Sequence, residues 1–97
     1  MTATGETTSQ HNLESIVELL DRYRQRATYG AVAGYLNRPP RGLMAGRSRA
    51  PRDSWIVSQG DGMPTGYDPD QIHPEIKSRE IVIRSTSDLS EWLRDPS

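Results

Sequence analysis

The stretch "TYGAVAGYLNRPPRGLMAGRSRAPR" (residues 28–52) decides how this chain is read. It opens on Thr28, whose hydroxyl suits it to accept from a free N–H at a helix start. Tyr29, Val32, Ala33 and Leu36 follow on one helical face. Pro39 and Pro40 stop that helix near Asn37, because proline lacks the N–H and disfavours helical geometry in the residue before it. Pro40 also suits the first position of a next helix, predicted over residues 40–47 through Leu43 and Met44. Gly42 and Gly46 weaken that helix and read as places where another backbone, from the preceding helix or a nucleic-acid strand, comes close. The product is helix, turn, helix. It carries Arg38, Arg41, Arg47, Arg49 and Arg52 and no acidic residue.

Upstream, Leu13, Ile16, Val17 and Leu20 recur at helical spacing behind Asn12, a good N-cap. Glu14 and Glu18 lie early and Arg22, Arg24 and Arg26 late, an order that suits the helix dipole. The first helix is predicted over residues 12–26. Residues 1–11 are polar, lack periodicity and are read as disordered. Downstream, "SWIVS" (54–58), "QGDG" (59–62) and "MPTGY" (63–67) read as strand, turn and return strand, with Pro64 marking an edge. "DPDQIHPEI" is irregular with room for one helical turn, and "REIVIR" (79–84) is either a strand or a helix end. Ser87 or Asp88 caps a last short helix with Leu89, Trp92 and Leu93 on its apolar face. The expected fold is α+β: one winged helix-turn-helix-like domain over residues 12–95, with three helices, a β-hairpin wing and a short C-terminal helix.

Ninety-seven residues without phenylalanine support only a thin core of Leu, Ile, Val, two Trp and four Tyr. The absence of cysteine excludes disulfides, thiolate metal sites and a cysteine nucleophile. No run approaches a membrane span, and "MTATGETTSQHN" is no secretory signal, so the expected location is cytoplasmic. The net charge of -1 hides a division along the chain. Eight arginines and no acid lie between Arg22 and Arg52, and the rest holds 4 basic against 13 acidic residues. Such a local basic field attracts polyanions whatever the sum, unless the acidic tail packs beside it and neutralises it.

The residues that carry this pattern also resemble a known family. "ATYGAVAGYLNRPPRGLMAG" looks like the DNA-binding domain of O6-alkylguanine-DNA alkyltransferases and alkyltransferase-like proteins, with Thr28–Tyr29, Pro39 and Ala45–Gly46 at the family's spacing. "SWIVSQGDGMPTGY" is similar to the family's Val-Val strand, glycine turn and following Gly-Tyr. The resemblance covers about residues 13–67. It implies a winged helix-turn-helix with the recognition helix at 40–47 and the wing tip at Gln59–Gly62. In the family, the tyrosine matching Tyr29 contacts the phosphate backbone; packing at a helix start is the other role open to it. The family's reactive cysteine falls at Asp53, followed by Ser54 and Trp55, so alkyl transfer is not expected. The alkyltransferase-like proteins place tryptophan at that position; Trp55 is near it but not on it. The arginine finger of the family falls at Leu43, which reads as a core residue or an apolar wedge. Arg41, two residues away, faces elsewhere.

Catalysis finds little footing. His11 and His73 are the only histidines and neither has a partner at metal-ligand spacing. Ser54 beside Asp53 has no histidine near it in sequence, and "GDG" lacks the Lys-Ser/Thr of a phosphate loop. The expectation is a non-enzymatic protein that needs no cofactor, metal or small-molecule substrate and binds duplex DNA. Tyr29, Arg38, Arg41, Arg47, Arg49 and Arg52 would meet phosphates, Leu43 would be core or wedge, and Gln59 would reach a phosphate or base edge. Five neutralised phosphates imply a log–log salt slope of about -4.5. The alternative is a cytoplasmic adaptor that presents Trp55, Met63, Tyr67 and Ile72, or the acidic tail, to a protein partner.

Overall fold

A computed structural model describes residues 11–47 and 49–97; the N-terminal stretch read as disordered lies outside these, except for His11. The α+β class holds. Three α-helices and a small parallel sheet make up the fold: α1 (Leu13–Tyr23), β1 (Arg26–Thr28), α2 (Tyr29–Leu36), β2 (Ile56–Val57), β3 (Val82–Ile83) and α3 (Thr86–Arg94), with single 3-10 turns at Pro51–Asp53 and Pro69–Gln71.

Helix α1 begins where its sequence says. Asn12 accepts from the Ser15 N–H at 2.8 Å, and the Ser15 hydroxyl accepts from the Asn12 N–H at 3.0 Å, a reciprocal cap. Its buried stripe is Ile16, Val17 and Leu20. It ends earlier than the predicted residue 26, because Arg24 turns left-handed (φ 57°) and its N–H returns to the Leu20 carbonyl. Arg26 therefore lies not in a helix but in β1, the central strand.

The sheet order is β2-β1-β3, all parallel, with Ala27 opposite both Ile56 and Ile83. All three residues of β1 are buried. Thr28 closes the strand and caps α2, its hydroxyl accepting from the Ala31 N–H at 3.1 Å. Helix α2 stops at a left-handed Asn37, with the Arg38 N–H bonded to the Ala33 carbonyl at 2.9 Å. Its stop was legible in the prolines that follow.

Two expected elements are replaced. Residues 40–47 form no helix: they run through three turns, Leu43 to Pro40, Ala45 to Gly42 and Arg47 to Met44. Gly42 and Gly46 have φ of 79° and 83°, and a left-handed glycine interrupts helical geometry. Residues 54–67 form no β-hairpin. β2 pairs in parallel with β1, and the return segment keeps a single bond from the Ser58 N–H to the Met63 carbonyl, at 2.9 Å. Of the two readings of "REIVIR", the strand is the observed one. Helix α3 is capped by Ser85, not by Ser87 or Asp88, with the Asp88 N–H donating to its hydroxyl at 3.1 Å. Leu89 and Leu93 are buried as expected, and half-buried Trp92 meets Tyr23 edge-on.

Trp55 organises the core. It is fully buried, stacks obliquely on His73 with ring centroids 4.9 Å apart, and its indole N–H donates to Asp21 at 2.9 Å. Because α2 contributes mostly alanines, the large buried area comes from Trp55, Ile16, Leu20, Ile56 and Leu89. Each large side chain contributes about 1.5–3 kcal/mol. No helix among the described residues is long and apolar enough to cross a membrane.

Candidate nucleic-acid interface

The turns of residues 40–47 and the start of α2 enclose a cleft of about 510 Å³. Its walls are Tyr29, residues 40–47, Arg49, Thr65 and Tyr67. Tyr29, first residue of α2, holds one wall: its hydroxyl accepts from the Thr65 N–H at 3.1 Å. Tyr67 holds another, its hydroxyl donating to the Asp53 carbonyl at 3.2 Å. Burial, followed by the nearby Asp53 carboxylate, pushes the Tyr67 hydroxyl up to about 12. Arg49 lies over Gly66, whose φ is 78°; a Cβ there would sit 3.3 Å from its guanidinium. The cleft therefore combines two phenols, the half-buried Met44 and exposed guanidinium groups.

The eight arginines of the basic segment separate into three groups. Arg22 pairs with Glu18, and Arg24 with Glu75. Arg47 and Arg52 both reach Glu14, and Arg47 also reaches Asp53 at 2.8 Å. Arg26 is buried without a carboxylate; it donates to the carbonyls of Gly62 and Arg79, each at 2.9 Å. Burial, with Arg84 adding a lesser repulsion, lowers its affinity for a proton. Arg38, Arg41 and Arg49 are exposed and, among the described residues, have no carboxylate within ion-pair distance. Neutralisation is thus partial, and most of it comes from α1 and Asp53, with Glu75 the one contribution from the acidic tail.

No family model, curated protein or solved structure matches this chain. The site must be judged on its own geometry.

Of the residues singled out from the sequence, Tyr29, Arg41, Arg47 and Arg49 line the cleft together. Leu43 also touches it but is 4% exposed and belongs to the core, which removes the wedge reading. Arg52 and Gln59 lie outside the cleft, and Arg38 stands just beyond the end of α2. Gln59 is exposed on a turn that Arg26 and Arg84 hold by its carbonyls, Arg84 donating to the Gln59 carbonyl at 2.8 Å. No helix starts at Pro40, so the segment offers no helix N-terminus to an anion. Sequence reasoning missed Thr65 as a cleft residue and Glu14 as the partner of two arginines. Neither had a local signal: Glu14 lies 33 and 38 positions from Arg47 and Arg52.

His73 does approach Ser54 in space, unlike in sequence. The contact is its backbone N–H to the Ser54 hydroxyl at 3.0 Å, while that hydroxyl donates to the Pro51 carbonyl. The His73 ring accepts from the Glu75 N–H. Among the described residues, no group of three or more His, Asp or Glu is placed to hold a metal ion.

Proposed function

We propose that this chain binds duplex DNA without enzymatic activity, through phosphate contacts made from the segment between Tyr29 and Arg49. The observation that carries this reading is the sorting of the arginines. Arg38, Arg41 and Arg49 stay exposed without carboxylate partners while their neighbours are paired, and two of them border a cleft that also holds the Tyr29 hydroxyl. Guanidinium groups bind phosphate oxygens through paired donors, and such contacts position a protein on DNA without reading sequence. The resemblance to the alkyltransferase-like proteins is one of sequence, since neither a recognition helix over residues 40–47 nor a hairpin wing over 54–67 forms. It supplies the reason to expect no alkyl transfer: Asp53, at the cysteine position, is a carboxylate bound by Arg47.

The three open arginines alone give a log–log salt slope of about -2.7, shallower than the five-arginine expectation. Fluorescence anisotropy of a labelled duplex across a salt series tests this, with Arg41→Ala/Arg49→Ala measured in parallel. Salt-sensitive binding that the double variant loses is the expected outcome. Absence of binding at low salt overturns the proposal. A protein-partner module is the second reading; Ile81, 76% exposed beside the edge strand β3, favours it.

A further inference from the structure

Glu14 sits on α1 with its carboxylate between two guanidiniums. Arg47 donates to it at 3.1 Å, and Arg52 donates to its other oxygen. Two guanidiniums converging on one oxyanion, one donor from each, is an arrangement a phosphate diester can also accept. Behind it, the 9%-exposed Asp53 carboxylate lies 2.8 Å from Arg47 and 3.8 Å from Arg52. Arg47 therefore keeps a carboxylate partner without Glu14, while Arg52 has only the longer approach to Asp53. Glu14 itself is 57% exposed, and water screens an ion pair so open to it. The contact is firm enough to screen the arginines and weak enough to be exchanged.

We infer that Glu14 occupies a built-in phosphate site formed by Arg47 and Arg52, and that a phosphate of bound DNA displaces it. The inference rests on the DNA reading and adds a regulatory element to it: an internal carboxylate that competes with the ligand for two of five arginines. The free protein would present Arg38, Arg41 and Arg49, and the engaged protein would add Arg47 and Arg52.

Glu14→Gln tests this against Glu18→Gln, which removes the same charge one turn along the same helix, where Glu18 pairs with Arg22. Both are titrated with a labelled duplex by anisotropy across a salt series, after thermal melting has shown that both fold. The expected result is that Glu14→Gln binds roughly five- to tenfold more tightly than Glu18→Gln near 0.1 M salt, with the same slope of about -4.5, since phosphate reaches all five arginines in both. Adding Arg52→Ala should abolish the gain. Equal affinities of the two variants overturn the inference while leaving the DNA proposal standing. If no form binds duplex, the DNA proposal falls, and stabilisation by inorganic phosphate decides the site alone. A larger rise in melting temperature for Glu14→Gln than for Glu18→Gln supports a phosphate site open to small anions, and equal rises overturn it.

Discussion

Gly34 of α2 lies directly against Thr86 of α3: a Cβ at residue 34 would fall onto the Thr86 hydroxyl and 3.3 Å from its Cβ. The Thr86 hydroxyl also donates to the Ala31 carbonyl at 3.3 Å, so the two helices meet through a missing side chain and one hydrogen bond. Gly30, one turn earlier on α2, faces open space. The same substitution at the two positions should therefore act in opposite directions. Gly30→Ala stabilises by about 0.4–1 kcal/mol through the unfolded chain. Gly34→Ala destabilises by about 1–3 kcal/mol through overpacking. Thr86→Ala in the same chain should recover part of that loss. Urea denaturation of the four proteins checks this, and equal effects at both glycines would rule out the close approach.

The arginine sorting makes a graded prediction. Arg38→Ala, Arg41→Ala and Arg49→Ala should each weaken duplex binding without regard to sequence and make the salt slope shallower by about 0.9. Arg22→Ala, which removes a partner of Glu18, should leave the slope unchanged. A slope that responds equally to all four would mean that only total charge matters.

Tyr67 ties the cleft to alkaline stability. Its folded value, about 12, stands above the ordinary 10.0. Below pH 10 the hydroxyl is protonated in folded and unfolded chains alike, and its contribution to stability is complete. As pH rises from 10 toward 12 the unfolded chain releases the proton first, so that contribution is lost. The difference in absorbance at 295 nm between the native protein and Tyr67→Phe should titrate near pH 12. The melting temperature of Tyr67→Phe should fall less steeply over the same window. A difference titration centred at 10 would place the hydroxyl in water.

Glu14 behaves in the opposite sense. Hydrogen bonds from Arg52 and then Arg47 hold its carboxyl below its ordinary 4.5. The contribution of these pairs is present above pH 4.5 and fades as the pH falls through the depressed value. Carboxyl carbon shifts should show Glu14 titrating below a normal glutamate, and Arg47→Ala/Arg52→Ala should restore the ordinary value.

Arg26 is 8% exposed and holds two carbonyls from distant segments, with its Nε buried and unpartnered. Removing the side chain leaves those carbonyls without their charged donor. Arg26→Ala should lose about 2–4 kcal/mol in denaturant unfolding. Arg26→Lys should lose nearly as much, because one ammonium cannot span both carbonyls in the manner of a planar fork. Full recovery by lysine would show that charge alone suffices.

The sequence by itself determined the three helices that form, along with a fourth, over residues 40–47, that does not. Asn12, Thr28 and the Pro39–Pro40 pair act within a few residues of the elements they bound, and the apolar spacing of α1 and α3 is local. The α+β class followed from these and from the hairpin read over residues 54–67, of which only the first strand forms. Tyr29, Arg41 and Arg49 were legible as one basic, aromatic segment, and the structure brings them to one cleft.

Only the tertiary structure decided the rest. β1 has the sequence Arg-Ala-Thr, three residues with one apolar among them and too short to signal a strand, and becomes one because β2 and β3 pair on either side of it. Gly42 and Gly46 read as close-approach positions inside a helix, and their left-handed backbone made them turns instead. The division of the arginines into paired, buried and open depended on where α1 placed Glu14 and where β1 placed Arg26. Coulomb pairing and burial act through space between residues far apart in the chain, and no local pattern records them.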